Sequence, residues 1–160
     1  HNRQLTSLNL SNNALTVEHL ALLGEALQHN NHLKSLILDD NDLGVGGTNC
    51  LADGLLGNRS VTHLSIANNK ICGVVSVNGR PSGQFALDGL HKLFVAIKAS
   101  AVQSLTIDRN VLGSEGLMEV SAGLEEAVGV RTLSLANTKP LMMMTFSHRA
   151  PTSPAPPWAS

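Results

Sequence analysis

The chain of 160 residues is the size of one domain, and its hydrophobic fraction of 42% is enough to build a core. Its formal net charge of −1 gives no broad attraction to nucleic acid or to anionic lipid. No apolar run approaches the roughly 20 residues of a membrane-spanning helix. We therefore expect neither nucleic acid nor a membrane as partner.

One phrase, Leu-x-x-Leu-x-Leu-x-x-Asn-x-Leu, recurs along the chain with conservative apolar substitutions. The interval between copies is 28 residues, except between the third and fourth copies, where it is 41 residues. The copies begin at Leu5, Leu33, Val61, Val102 and Val130. A repeat of this length predicts a solenoid, in which each copy packs on its neighbours.

Each phrase predicts one short strand. Its fourth and sixth residues point inward with the two-residue period of a strand, and its first residue points inward from the entering turn. The ninth position holds Asn in four copies and is expected to satisfy backbone groups where the chain leaves the strand, which would form a ladder through the stack. These residues are Asn13, Asn41, Asn69 and Asn110. Thr138 occupies the position in the last copy, which we therefore expect to fray.

The segments that follow the phrases predict helices, because apolar residues recur there at helical spacing. A single helix cannot cover its own apolar stripe, so about three or more stacked repeats are needed for stability. The four stripes are Val17, Leu20, Leu23 and Leu27; Val45, Thr48, Leu51 and Leu55; Leu87, Leu90, Phe94 and Ile97; and Leu117, Val120 and Leu124.

Two stretches depart from the period. The third copy contains an insertion at residues 73–86, in which Val74, Val75 and Val77 favour a strand and Asn78-Gly79 favours a hairpin turn. We expect a loop or hairpin on the rim of the solenoid. It either contributes to partner recognition or is a neutral insertion that the surface tolerates. Residues 139–160 hold five of the six prolines and predict a disordered tail. We interpret this tail as a truncation or an altered reading frame.

The 28-residue strand–helix unit resembles the ribonuclease-inhibitor class of leucine-rich repeat. The family phrase often continues as Leu-Gly-x-x-Gly, which appears as Leu43-Gly44-Val45-Gly46-Gly47 and as Leu112-Gly113-Ser114-Glu115-Gly116. The resemblance covers roughly residues 5–138. It implies an α/β leucine-rich-repeat solenoid over residues 1–138, with a curved parallel sheet on the concave side and helices on the convex side.

Candidate catalytic, cofactor and metal sites are not convincing. His29 and His32 lie in a predicted turn without cysteine or acidic companions, and Gly44, Gly46 and Gly47 fit the turn of the repeat rather than a phosphate loop. We expect no enzyme activity, no cofactor and no metal. Two cysteines, Cys50 and Cys72, are expected to be reduced, which favours a cytoplasmic location.

A protein-binding surface remains as the candidate functional site. Strand residues that face away from the core, together with the turn residues after them, would line the concave side. The distinctive residues of this surface and of the insertion are Ile37, Asp39, Asp40, His63, Asp108 and Arg109, with Val77, Asn78 and Arg80. The three aspartates predict a mildly acidic strip that would prefer a basic partner. No Tyr or Trp is available there as a binding hot spot.

These observations predict a non-enzymatic protein–protein interaction module, a fragment of a larger intracellular repeat protein. The repeats are similar to those of NOD-like receptors, Ran GTPase-activating proteins and ribonuclease inhibitor, and the sensor region of NOD-like proteins is the resemblance we favour. The alternative is a GTPase activator of the Ran activator type, and a third interpretation is a decayed array without function. Because end caps are missing, we expect the isolated chain to be marginally stable and prone to aggregate.

Overall fold

A computed structural model describes residues 2–78 and 80–138. In chain order its elements are β1 (Ser7–Asn9), α1 (Val17–His29), β2 (Ser35–Ile37), α2 (Gly44–Leu55), β3 (His63–Ser65), β4 (Val74–Val77), β5 (Arg80–Gly83), α3 (Asp88–Lys98), β6 (Ser104–Thr106), α4 (Gly113–Glu126) and β7 (Thr132–Ser134). The tail predicted at residues 139–160 lies outside the described part of the chain.

Each repeat phrase forms one strand of a five-stranded parallel sheet, in the order β1-β2-β3-β6-β7. Equal phrase positions pair across the sheet, so that Leu8 lies beside Leu36, which lies beside Leu64. The order follows the chain, and between the first three neighbours a single helix provides the crossover that a parallel connection requires. The predicted α/β leucine-rich-repeat solenoid is therefore confirmed.

The core lies between the sheet and the helices and is almost entirely aliphatic. Central strand residues such as Leu36 and Leu105 are fully buried against helix residues such as Leu20, Leu51 and Leu93. Burying an aliphatic side chain of this size contributes about 1.5–3 kcal/mol. The low aromatic content is compatible with this core because stacked copies of one short strand need side chains of similar size.

Two members of the predicted helical stripes are less covered than expected. The exposed fraction is 41% for Val17 and 39% for Leu117. Val17 is the first residue of α1 and lies against Gly46, which has no side chain to cover it. Leu117 lies on α4, and no described helix packs on the outer side of α4. The predicted apolar stripes face the core, but their residues at the start of α1 and in the last helix are partly exposed to solvent.

The asparagine ladder connects neighbouring repeats. The Asn41 Oδ1 atom accepts the backbone N–H groups of Asn13 and Leu15, both at 3.0 Å. Its Nδ2 atom donates to the carbonyl oxygens of Leu10 and Leu38. The hydroxyl of Thr138 donates to the carbonyl oxygen of Leu135 at 3.0 Å, and within the described residues it makes no bond to the preceding copy. Thr138 therefore replaces only the local half of the asparagine contacts.

A second asparagine series, which sequence reasoning missed, lies where each helix returns to a strand. Asn2, Asn30 and Asn58 are spaced by 28 residues, and each accepts backbone N–H groups two and three residues ahead. The Asn58 Nδ2 atom also donates to the carbonyl oxygens of Leu27 and Asn30, at 2.7 and 3.0 Å. The series stabilises the opposite end of the strands. The 28-residue spacing of these asparagines is present in the sequence. Asparagine is common in turns, however, so the residue type alone does not indicate a structural series.

The insertion forms a two-stranded antiparallel hairpin, β4 with β5. Its base is tightly closed: a Cβ atom added to Gly73 would lie 2.3 Å from the Gln84 carbonyl oxygen, and one added to Gly83 would lie 2.3 Å from the Gly73 carbonyl oxygen. Both glycines have positive φ, 75° and 118°, a backbone conformation that residues with a Cβ atom rarely adopt. Val74 is 2% exposed and anchors the hairpin in the core. The insertion is thus an ordered β-hairpin whose two strands are closely packed at their base.

No helix in the described ranges is long and apolar enough to span a bilayer.

Candidate partner-binding surface

Six of the predicted site residues lie on the outward face of the sheet or in the turns that follow its strands. Ile37 in β2 pairs with Ser65 in β3, and His63 in β3 lies between Ser35 and Ser104. We call this the sheet face. Ala67, which follows β3 at the seventh phrase position, is only 3% exposed, and its N–H group donates to Asp39.

Two of the three aspartates accept backbone N–H groups of the following repeat. The Asp39 Oδ1 atom accepts the hydroxyl of Ser65 at 2.6 Å and the N–H group of Ala67 at 2.8 Å. The Asp108 Oδ1 atom accepts the N–H group of Ala136 at 2.8 Å. Both residues occupy the seventh phrase position, so each holds the copy that follows it.

The third aspartate, Asp40, lies in a row of turn residues with left-handed backbone. Its Oδ1 atom accepts the Asn68 amide at 2.8 Å, and its Oδ2 atom accepts the Arg109 guanidinium at 3.3 Å. Arg109 therefore extends from the fourth repeat across the third to the second. The predicted acidic strip contains its own cation, and its charge is partly neutralised.

The row is regular because the eighth residue of every phrase has positive φ. The values are 57°, 54°, 51°, 56° and 56° at Asn12, Asp40, Asn68, Arg109 and Asn137. This backbone lets each residue donate its N–H group to the next copy, as Asp40 does to the Ala67 carbonyl oxygen at 2.9 Å. Asn and Asp tolerate this conformation better than most residues, whereas Arg109 adopts it against its preference.

The three predicted residues of the insertion lie at the hairpin tip. Val77 is 51% exposed and pairs with Arg80, and Asn78 has φ 49° in the turn. They belong to the two-stranded sheet of the hairpin, whereas Ile37 and His63 lie in the five-stranded sheet. The predicted residues therefore form two groups rather than one continuous patch.

A groove of about 430 Å³ lies between the hairpin and the turns after the strands, and we call it the hairpin groove; Arg109 is the one predicted site residue among its described lining residues. One side is β4 of the hairpin, and the other side is the row of turns. Its described lining residues are Asn68, Lys70, Val74, Val75, Ser76, Arg109, Val111 and Asn137. Lys70, Val75 and Val111 were not predicted. Lys70 and Val111 occupy the variable tenth phrase position, and only their proximity to the hairpin distinguishes them.

His29 and His32 lie at the open end of the first repeat, beside a space of about 1140 Å³ that Arg3, Leu22 and Glu25 also line. Residues 2–78 and 80–138 contain no group of three or more His, Cys, Asp or Glu side chains that could hold a metal ion. Geometry therefore adds no support for metal binding at this end.

Both cysteines are free thiols. Cys50 is half-buried, whereas Cys72 is 1% exposed at the base of the hairpin. Burial disfavours the charged thiolate and raises the pKa of Cys72 to about 12. Cys72 is therefore a core residue rather than a nucleophile.

The fold and surface define a class of protein, a strand–helix solenoid with an exposed parallel sheet and one hairpin. A family model described as leucine-rich repeat matches residues 1–18 and 29–52. The matched repeats and the observed fold are those of a leucine-rich-repeat solenoid.

Two known proteins support this classification. The NACHT, LRR and PYD domains-containing protein 5 of Bos taurus is 29% identical over 142 residues, which cover 78% of this chain and 13% of that protein. This chain thus spans a small part of the relative. A solved structure, the tropomodulin C-terminal domain of Caenorhabditis elegans, superposes with a TM-score of 0.62 at 16% identity, covering 84% of this chain and 75% of that one. That likeness concerns the fold alone.

Proposed function

We propose that this chain is a non-enzymatic protein-interaction module of a cytoplasmic repeat protein, and that it binds its partner through the sheet face and the hairpin together. The hairpin groove is the observation that supports this proposal, because it lies between the hairpin and the turns of the sheet and is lined by Arg109, a predicted site residue. Binding energy in protein interfaces is concentrated in well-packed central positions, and a groove between two structural elements provides such a position.

The finer proposal is that the module belongs to a sensor of the NOD-like type. Its support is the similarity to the bovine NACHT, LRR and PYD domains-containing protein. In such a protein the described repeats would be one part of a longer array, and repeats outside this chain would contribute to specificity. No residue within the described ranges has been matched to a working position of Ran-type activators, so the alternative function has no structural support.

The experiment is affinity purification from cytosol with the tagged full chain and a hairpin-shortened variant. The variant replaces residues 75–82 with an Asn-Gly turn and keeps Gly73, Val74 and Gly83, so that the base of the hairpin is preserved. Proteins retained by the wild-type chain should be lost from the variant, as measured by quantitative mass spectrometry. Circular dichroism would verify that the repeats remain folded.

A sheet-face variant, His63→Glu, tests the second half of the surface. The matched control is Lys98→Glu, a charge reversal on α3, on the opposite side of the molecule. We expect partners to be lost with His63→Glu and retained with Lys98→Glu. If both surface variants keep every partner of the wild type, the proposed binding surface is wrong.

A further inference from the structure

The hairpin groove has a chemical character that differs from the rest of the sheet face. Its described lining residues include two cations, Lys70 and Arg109, and no carboxylate. Elsewhere on the face, the charged residues that the sequence singled out are aspartates. The carboxylates that pair with these cations, Asp42 and Asp40, are not among the described residues that line the groove, so the cations are the charged groups that a ligand in the groove would contact.

Both cations have donors to spare. The Lys70 Nζ atom lies 2.8 Å from Asp42 Oδ1, and the side chain is 40% exposed. Arg109 donates one long bond of 3.3 Å to Asp40, and its side chain is 50% exposed. Guanidinium carries five N–H donors and ammonium three, so each residue can bind a second carboxylate. Exposed ion pairs of this kind contribute little stability, so Asp42 and Asp40 do not hold the two cations tightly.

Valines lie between the cations. Val74 and Val111 are 2% and 8% exposed, and Val75 is half-buried. Branched side chains in this position provide an apolar surface for one aliphatic side chain. The exposed Asn137 carries an amide that can bind a peptide backbone, and Asn68, whose Nδ2 atom donates to Asp40, offers its side-chain oxygen as an acceptor.

The walls are held in place before anything binds. The closed glycine base fixes β4, and the bond from the Arg109 N–H group to the Ala136 carbonyl oxygen, at 2.8 Å, fixes the opposite turn. A preformed groove loses less conformational entropy when a ligand binds than a flexible loop does.

We propose that the hairpin groove binds an extended acidic–aliphatic peptide segment of the partner, with its aliphatic side chain on the valines and its carboxylates on Lys70 and Arg109. This inference rests on the proposed function and specifies the chemistry of the partner. Charge complementarity selects this occupant, because a basic segment would meet two cations and no carboxylate in the groove.

The probe is a random linear peptide library displayed on phage and selected against the full chain. We expect enriched peptides with Asp or Glu on both sides of Val, Ile or Leu. A labelled synthetic copy of an enriched peptide should bind about tenfold or more weakly to Arg109→Glu and to Lys70→Glu, measured by fluorescence anisotropy. Its affinity should also fall as sodium chloride is added.

Two further variants distinguish a groove contact from a general loss of structure. Lys98→Glu reverses a cation of similar exposure on α3 and should leave peptide binding unchanged. Asp40→Asn removes the internal partner of Arg109 and should strengthen peptide binding, whereas a merely structural role for this pair would weaken it.

Enrichment of basic peptides, or of peptides that Arg109→Glu binds equally well, would overturn the inference and leave the sheet face as the binding surface. Failure of any acidic–aliphatic peptide to be enriched would also overturn it. A dimer in sedimentation velocity that Arg109→Glu dissociates would show that a second copy occupies the groove. In each case the cytosolic purification still tests the proposed function separately.

Discussion

At the scale of single residues, Asn110 shows how one side chain joins two repeats. It is 1% exposed, accepts the N–H groups of Asn69 and Ile71, and donates to carbonyl oxygens on both copies. An alanine there would leave several buried backbone groups without partners. Because each such group costs about 1–3 kcal/mol, these contacts specify the register of neighbouring copies.

We predict that Asn110→Ala lowers the free energy of unfolding by about 2–4 kcal/mol, measured by urea denaturation. The matched control is Asn13→Ala, at the same phrase position in the first copy. Asn13 is exposed and its side chain donates only to the Ser11 carbonyl oxygen, so the loss should be below about 1 kcal/mol. Equal losses at both positions would contradict the ladder.

Cys72 yields a prediction about pH and reactivity. Its folded pKa is about 12, against an ordinary value of 9.0, because it is buried. The folded chain holds this proton more tightly than the unfolded chain, so the unfolded state loses the proton first as pH rises. Stability from this group is therefore complete below pH 9 and is lost between pH 9 and about 12.

We expect Cys72 to resist an aromatic disulfide reagent in the folded chain at neutral pH, because the thiolate is the reactive form. The Cys50→Ala variant should react only after urea is added, whereas Cys72→Ala should react through half-buried Cys50 without urea. Equally rapid labelling of both variants in the folded state would show that the hairpin base opens readily.

At the scale of elements, α1 and α2 approach so closely that neither tolerates a side chain at the contact. A Cβ atom added to Gly54 would lie 2.4 Å from the Gly24 Cα atom, and one added to Gly24 would lie 2.6 Å from the Cys50 carbonyl oxygen. Helical propensity would prefer alanine at both positions by about 1 kcal/mol. The glycines are therefore explained by helix packing.

We predict that Gly54→Ala destabilises the chain by about 1–3 kcal/mol despite the better helix former, because the two helices must separate. Gly129→Ala is the control, since an added Cβ atom there would find its nearest neighbour, the Val102 carbonyl oxygen, at 3.7 Å. Its effect should stay within about 0.5 kcal/mol. Thermal denaturation of both variants checks the prediction, which a stabilising Gly54→Ala would contradict.

At the scale of the whole molecule, the first and last described helices each present an apolar side chain outward. Leu22 on α1 is 68% exposed and Met118 on α4 is 71% exposed, and Val128 after α4 is 92% exposed. In a solenoid each repeat contacts only its neighbours, so apolar faces at the ends associate when nothing covers them. This is the physical basis for expecting the isolated chain to aggregate.

We predict that Leu22→Glu combined with Met118→Lys shifts the isolated chain toward monomer in sedimentation velocity, with an unchanged circular dichroism spectrum. Val95→Lys changes a valine that is 49% exposed on α3, a helix inside the stack, and should have a smaller effect. A wild-type chain that is already monodisperse, with a sharp thermal transition, would contradict the expectation.

The sequence by itself determined the repeating part of this protein. Leucines at the fourth and sixth phrase positions, and Asn41 and Asn110 at the ninth, specified strands, register and ladder, because each copy packs on another copy like itself. Three valines and Asn78-Gly79 predicted a loop or a hairpin in the insertion, and the structure forms the hairpin.

Only the tertiary structure decided how side chains of different copies meet. It turned Asp39 and Asp108 toward neighbouring copies, brought Arg109 to Asp40 across 69 residues, and placed Lys70 beside the hairpin. These contacts depend on the reach of individual side chains and on the left-handed turns, and neither is encoded in the spacing of leucines. The period therefore predicts which residues lie on the outward face of the sheet, whereas the charge pattern of that face depends on the folded neighbours of each residue.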